Sequence, residues 1–254
     1  MARGWLRDLG AAGLAQLDIV EPHAPEDVLA WSKDGKVALN GAPVRADVVV
    51  LAVKPQGFSD AASGLAGWIG PNTLIISIMA GVTLKRIASA LGAPKVVRAM
   101  PNTPGSIGKG VTAYALSTAC DAADRAAAET LLKPLGAVVG PLDESQMDAV
   151  TAVSGSGPAY VYLFAETLEA AGRAAGLDPA TAAILARQTV FGAGALLGEG
   201  GDPTELRKAV TSPGGTTAAA LDVFLAKGAL PDLVRKAVEA AARRGAELAR
   251  DADK

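Results

Sequence analysis

The residues best suited to chemistry stand late in the chain, in TSPGGTTAAALDVF, positions 211–224. Pro213 fixes a turn, Gly214 and Gly215 leave backbone N–H groups unshielded, and Thr216 and Thr217 open a helix. Exposed N–H groups at a helix N-terminus attract an anion such as a small carboxylate, and two hydroxyls beside it offer further hydrogen bonds. A cap alone would account for one Ser or Thr. It does not account for Thr-Ser-Pro-Gly-Gly-Thr-Thr.

Two earlier stretches carry polar groups on rigid loops. ADVVVLAVKPQ is a continuously apolar strand that ends in Ala52, Val53, Lys54 and Pro55. A tight turn and a cation then lie at the carboxyl edge of a sheet, where a nicotinamide ribose or phosphate would bind. RAMPNTPG, positions 98–105, repeats the design, with Pro101 and Pro104 stiffening a loop that offers Asn102 and Thr103 to the same edge. The single histidine, His23, lies between Pro22 and Ala24 and is expected to be solvated, and the single Cys120 excludes an internal disulfide and a cysteine metal cluster. No metal site is expected.

The elements that position these loops divide the chain in two. From Leu17 to about Gly140, the runs LDIV, ADVVVLAV, TLIISI, KVVRAM and AVVG alternate with helical stretches such as QGFSDAASGLAGW and TLKRIASAL. That alternation predicts successive βα units, a doubly wound, mostly parallel Rossmann-like sheet over residues 1–142. Residues 143–254 are Ala-rich and helical, broken at SGSGP, GLDP, GEGGDP, TSPGG and KGALP. Their broad apolar faces predict an all-helical domain that buries itself against a second copy, making a homodimer. The chain has 254 residues, a net charge of -2, and no basic patch for nucleic acid. No apolar run is read as long enough to span a bilayer and no signal-peptide core opens the chain, so a soluble, cytoplasmic protein is expected.

In a dinucleotide-binding unit the first strand leads into a glycine-rich turn, and an acid closing the second strand takes a ribose hydroxyl. Glu21, directly after LDIV, occupies the position of that acid, and MARGWLRDLG occupies that of the helix following the glycine turn. The first strand and its glycine loop are therefore expected to be missing from this chain. The other glycine runs do not replace them: GAGALLG (192–198) lies in an apolar helical stretch, SGSGP lacks the Lys of a phosphate loop, and GSIGKG (105–110) reads as a surface turn.

LRKAVTSPGGTTAAALDVF closely resembles the signature of the pyrroline-5-carboxylate reductases, and LAVKPQ, SIMAGVTLKRI, RAMPNTP and AVSGSGPAY follow that family's order and spacing. The resemblance covers essentially the whole chain. It implies a Rossmann domain followed by a helical dimerisation domain whose helices interleave between subunits, with some dimers assembling into rings. It implies a cyclic imino acid as substrate, and hydride transfer from NADPH or NADH to its C=N carbon to give proline. On the matching motifs, Thr217 supplies a hydroxyl at the imine nitrogen, and Ser212, Gly214, Gly215 and Thr216 hold the carboxylate. Ala52, Val53, Lys54, Pro55, Asn102 and the backbone near Ala80 and Gly81 face the nicotinamide half, and Ser154 to Pro158 form the helix junction beside the site. Glu21 would accept from a ribose 2′-hydroxyl and repel a 2′-phosphate, which predicts tolerance of or preference for NADH. A related cyclic-imine reductase, a β-hydroxyacid dehydrogenase and a non-catalytic dimerisation module are the rival readings. The dehydrogenase would use a lysine on a helix, for which no matching motif is found.

Overall fold

The structure, a computed structural model, describes residues 15–252. The expected helix MARGWLRDLG lies outside the described residues. Strands β1 (Asp18–Ile19) and β2 (Ala38–Leu39) flank helix α1 (Glu26–Lys33) and pair in parallel. Next come β3 (Val48–Leu51), α2 (Phe58–Ser63), β4 (Leu74–Ser77), α3 (Leu84–Leu91), β5 (Val96–Met100), β6 (Gly110–Leu116), α4 (Ala122–Leu132) and β7 (Gly136–Val139). The larger sheet has the order β3-β4-β5-β6-β7, parallel except where β5 meets β6. Among the described residues no strand joins β1 to β3.

The period-2 geometry of a strand explains how this sheet builds two cores. Ile75, Val96 and Met100 face Phe58, Val82, Leu84 and Ile87 on one side. Leu74, Ile76, Val97 and Ala99 meet Ala128, Leu131, Leu132 and Leu135 on the other. All four residues of β4 are buried, as an inner strand covered on both faces requires. Tyr114 of β6 is fully buried, and its hydroxyl donates to Glu129. Burial, with the Glu129 hydrogen bond second, pushes its phenol up to about 12. Cys120 is half-buried against Ser117 and the Val96 carbonyl.

Strands β2 and β6 are not among the sequence candidates. β6 is Gly-Val-Thr-Ala-Tyr-Ala-Leu, whose small residues dilute the β-branched signal, and it follows β5 without an intervening crossover helix. Its antiparallel direction follows from that short connection.

After β7 the chain passes through α5 (Met147–Val150) and a π-helical turn at Thr151–Gly155 before α6 (Gly157–Ala174), α7 (Pro179–Gly198), α8 (Pro203–Ala209), α9 (Thr216–Leu225) and α10 (Ala229–Ala252). Two compact units result: one runs through Gly155 and includes α10 from Ala242, the other is Ser156–Ala241. The first unit thus extends past the 142/143 boundary read from sequence. A buried ion cluster accounts for the extension. Arg98 of β5 is only 3% exposed, and its guanidinium contacts Glu144 at 3.3 Å and Asp148 at 3.4 Å. Glu144 Oε1 also accepts from the Leu84 N–H at 2.7 Å, at the start of α3.

In the helical unit, α7 is long and apolar enough to cross a membrane by length and composition, which corrects the sequence reading that no such run exists. Its Ala and Gly residues disguise the run, and Arg187 is its one charged residue. A mid-helix Arg raises the cost of insertion by roughly 2.5–3.5 kcal/mol. Ile184, Leu185 and Phe191 on α7 and Tyr162, Leu163 and Phe164 on α6 are all exposed.

The Arg98 cluster yields a stability test. Replacing its two acids together, Glu144→Gln with Asp148→Asn, leaves a buried cation unpaired and should lower unfolding stability in urea by about 3 kcal/mol or more. The exposed Arg235–Glu239 pair, 2.8 Å apart, is the control. There, Glu239→Gln should cost less than about 1 kcal/mol.

Candidate functional site

The glycine-proline turn has the geometry that its composition dictates. Gly215 N–H donates to the Ser212 carbonyl at 3.0 Å, closing a four-residue turn with Pro213 second and Gly214 third. Gly214 has φ +69°, the left-handed value that a type II turn needs at its third residue and that glycine adopts without strain. Gly215 then caps α9 with no side-chain hydrogen bond. The N–H groups of Thr216, Thr217 and Ala218 have no acceptor among the described residues, and Ala219 is the first to bond back, to the Gly215 carbonyl at 3.1 Å. A β-carbon at Gly215 would lie 2.5 Å from Ser212 Oγ, so the serine hydroxyl sits over the helix start. Ser212, Gly214 and Thr216 are exposed and Thr217 is half-buried. Thr211 anchors the turn by donating to the Arg207 carbonyl at 2.6 Å. The helix dipole and the open donors make this an anion site with hydroxyls beside it.

In the sheet unit, Ala52, Val53 and Lys54 are exposed immediately after β3, and Pro55 begins a short 3₁₀ turn. Ala80 is half-buried, while Gly81, at φ +73°, is buried beneath Leu248 and Ala249 of α10. Glu21 follows β1, its backbone tied to Asn40 by two hydrogen bonds. Its carboxylate accepts from the His23 N–H at 2.9 Å, and the His23 ring is solvated as expected. An acid after β1 and a cation after β3 fit a nicotinamide dinucleotide in their donor chemistry. Among the described residues no group of His, Cys, Asp and Glu could hold a metal ion.

Asn102 does not stand free at that edge. Its Oδ1 accepts from Val111 N–H at 3.0 Å and its Nδ2 donates to the Ser154 carbonyl at 3.1 Å. The loop it anchors is compressed: a β-carbon at Gly110 would fall 2.6 Å from Gly105 N and 2.7 Å from Asn102 Oδ1. GSIGKG, read as a surface turn, is half of one. Gly105 is buried under Leu135, Ile107 to Lys109 are exposed, and Gly110 already belongs to β6. Arg98 is the site-supporting residue that sequence reasoning missed. A charged residue in an otherwise apolar strand, KVVRAM, is the signal that points to it.

A family model described as pyrroline-5-carboxylate reductase dimerisation matches residues 144–248. The chain is 45% identical over 206 residues to a pyrroline-5-carboxylate reductase of Pseudomonas aeruginosa, covering 80% of this chain and 75% of that one. It is 40% identical to the Synechocystis enzyme of the same name, over 94% of each. Its fold superposes on a pyrroline-5-carboxylate reductase from Coxiella burnetii with TM-score 0.85 and 36% identity, covering 97% of this chain and 94% of that one. The NADP-bound pyrroline carboxylate reductase of Plasmodium falciparum follows at TM-score 0.81 and 26% identity, over 98% and 94%.

The compressed loop can be tested directly. Gly110→Ala should lower stability by about 1–3 kcal/mol, because the Gly105 backbone and the hydrogen-bonded Asn102 carboxamide must both move. Gly57, which has nothing within 4 Å of an added β-carbon, should tolerate Ala with a change within about 0.5 kcal/mol in the same urea titration.

Proposed function

Because this chain belongs to the pyrroline-5-carboxylate reductase family, we propose that it reduces the C=N bond of 1-pyrroline-5-carboxylate to give L-proline, the last step of proline biosynthesis. The observation that carries this reading is the uncapped start of α9, where the N–H groups of Thr216, Thr217 and Ala218 lie open beside the Ser212 hydroxyl. A substrate carboxylate completes the hydrogen bonds that the helix leaves open. Ser212, Gly214, Gly215 and Thr216 hold that carboxylate. Thr217 places its hydroxyl at the ring nitrogen, where it orients the protonated imine and helps pass a proton to the amine formed. This route needs no histidine, in keeping with a chain whose only His23 is solvated.

NADPH or NADH supplies the hydride when bound. Ala52, Val53, Lys54 and Pro55 hold its nicotinamide half from the end of β3, with the turn at Ala80 and Gly81 beside them. Asn102, read from sequence as a cofactor residue, instead supports this edge from beneath, its carboxamide engaged with the Val111 N–H and the Ser154 carbonyl. Glu21 accepts from a ribose 2′-hydroxyl, and its charge disfavours a 2′-phosphate. We assign residues 1–142 to the dinucleotide-binding domain and 143–254 to the helical dimerisation and substrate domain, a division supported by the dimerisation match starting at residue 144. The exposed apolar residues of α6 and α7 supply the surface on which a homodimer forms, and further assembly into rings is compatible with it. We place the enzyme in the cytoplasm, with no nucleic-acid or membrane partner.

The assay is imine-dependent oxidation of NAD(P)H by the purified protein. Thr217→Ala should lower kcat by roughly 10²-fold, and Ser212→Ala should act mainly on KM for the imine. Full turnover in the double variant would refute the assignment, and no turnover in the parent chain would favour a non-catalytic dimerisation module. Glu21→Ser should shift the ratio of dissociation constants toward NADPH by roughly tenfold. Fluorescence titration of both cofactors reads that shift, and a parent protein with strong NADPH preference would overturn the role given to Glu21.

A further inference from the structure

We infer that Asn102 is a positioning residue that supplies the hydrogen-bond donor Pro158 lacks, and so locks the end of the sheet to the turn from which the helical segment departs. The inference rests on the reductase reading for its catalytic consequence, and on backbone bookkeeping for its geometry. β5 and β6 are antiparallel, with Met100 opposite Ala113. Continuing that register places Asn102 opposite Val111. Backbone pairing in that register would give the Val111 N–H the Asn102 carbonyl as its acceptor, but the turn that follows claims that carbonyl. The Asn102 side chain takes over from the backbone there: its Oδ1 accepts from Val111 N–H at 3.0 Å. Its own carbonyl accepts from Gly105 N–H at 3.0 Å, which holds the following turn.

The other end of the carboxamide answers a second vacancy. In a continuing helix, the carbonyl of residue 154 would accept from the N–H of residue 158. Residue 158 is proline, and the chain around Thr151–Gly155 is wound as a π-helix, a form often found at functional sites. Asn102 Nδ2 donates to that Ser154 carbonyl at 3.1 Å. The Ser154 hydroxyl is occupied elsewhere, donating to the Val150 carbonyl at 2.9 Å. Gly110 permits the close approach, since any β-carbon there would strike Asn102 Oδ1. One carboxamide therefore joins the loop after β5 to the last turn of the sheet unit. Its Oδ1 satisfies the Val111 N–H that the Asn102 carbonyl, turned to Gly105, leaves unpaired, and its Nδ2 satisfies the Ser154 carbonyl that Pro158 cannot serve. Asn102 acts on the reaction through this joint and makes no cofactor contact of its own.

The test is a double-mutant cycle on the full chain, with Asn102→Ala, Pro158→Ala and both together. The readouts are steady-state kinetics, fluorescence titration of the cofactor, and melting temperature. Asn102→Ala should lower kcat/KM for the imine by roughly tenfold, with the cofactor dissociation constant held within about twofold. Pro158→Ala, which returns an N–H to position 158, should recover at least about threefold of that loss in the Asn102→Ala background. No recovery, or a cofactor affinity that weakens in step with kcat/KM, overturns the proposal. If the parent chain turns over no cyclic imine, the functional reading fails, and the melting temperatures decide the joint alone. A double variant more stable than the sum of the single changes supports it, and strict additivity overturns it.

Discussion

A single buried cation organises the sheet unit. Arg98 sits in β5, where alternation would place an apolar side chain, and its guanidinium is answered by acids from the segment after the last strand. Burying a charge is tolerable only when it is paired and hydrogen-bonded. The chain after β7 must therefore return across the sheet, bringing Glu144 and Asp148 to the same guanidinium. Glu144 also accepts from the first N–H of α3, so one carboxylate ties together a strand, a helix start and the returning segment. Asp143 fixes the entry to that segment: it accepts from the Ser145 hydroxyl and backbone N–H, which hold its carboxyl below the usual range. Arg98 Nε remains without a partner among the described residues, so the cluster trades full satisfaction for its three-way connection.

That connection explains why the carboxyl edge of the sheet can be built from loops. Loops carry function because they tolerate irregular backbone, and they are precise only when something rigid holds them. Here β3 to β5 end at one edge, fixed by two cores and by the Arg98 cluster beneath. The loop after β5 is further compressed by Gly110 and by Gly136, whose added β-carbon would lie 2.1 Å from the Gly110 carbonyl oxygen. Each marks a place where two backbones touch.

Much of this was legible in the residues, for physical reasons that differ from one feature to the next. VVVLAV reads as a covered strand because burial on both faces demands an unbroken apolar run, and Thr-Ser-Pro-Gly-Gly-Thr-Thr reads as a special turn because its φ values admit few other residues. β6 was not legible. Thr112 and Tyr114 are buried polar residues in a strand diluted with alanine, and they form a strand because β5 and β7 flank them, not through local preference. Asn102 reads from sequence as an amide open to the edge, and the structure engages both of its polar atoms with backbone. Composition shows that an amide is available, while only the fold shows which backbone groups claim it. The length of α7 was hidden by Ala and Gly, whose modest hydropathy accumulates over a helix without forming an obvious run.

The helix starts separate structural capping from function. α4, α7 and α8 each begin on an aspartate, Asp121, Asp178 and Asp202, whose carboxylate accepts from the first free N–H groups. Those hydrogen bonds, with Lys95 assisting, draw the carboxyl of Asp121 below its usual range, and at Asp178 the Thr181 hydroxyl, with the backbone N–H groups behind it, does the same. The same solution was available to α9, and the chain uses Gly215 instead. The cost is a few tenths of a kcal/mol relative to a good cap, and the consequence is chemical. An aspartate would have filled the positive end of the helix permanently with the protein's own carboxylate. A glycine leaves that end without a side-chain cap, its N–H groups open beside the Ser212 hydroxyl.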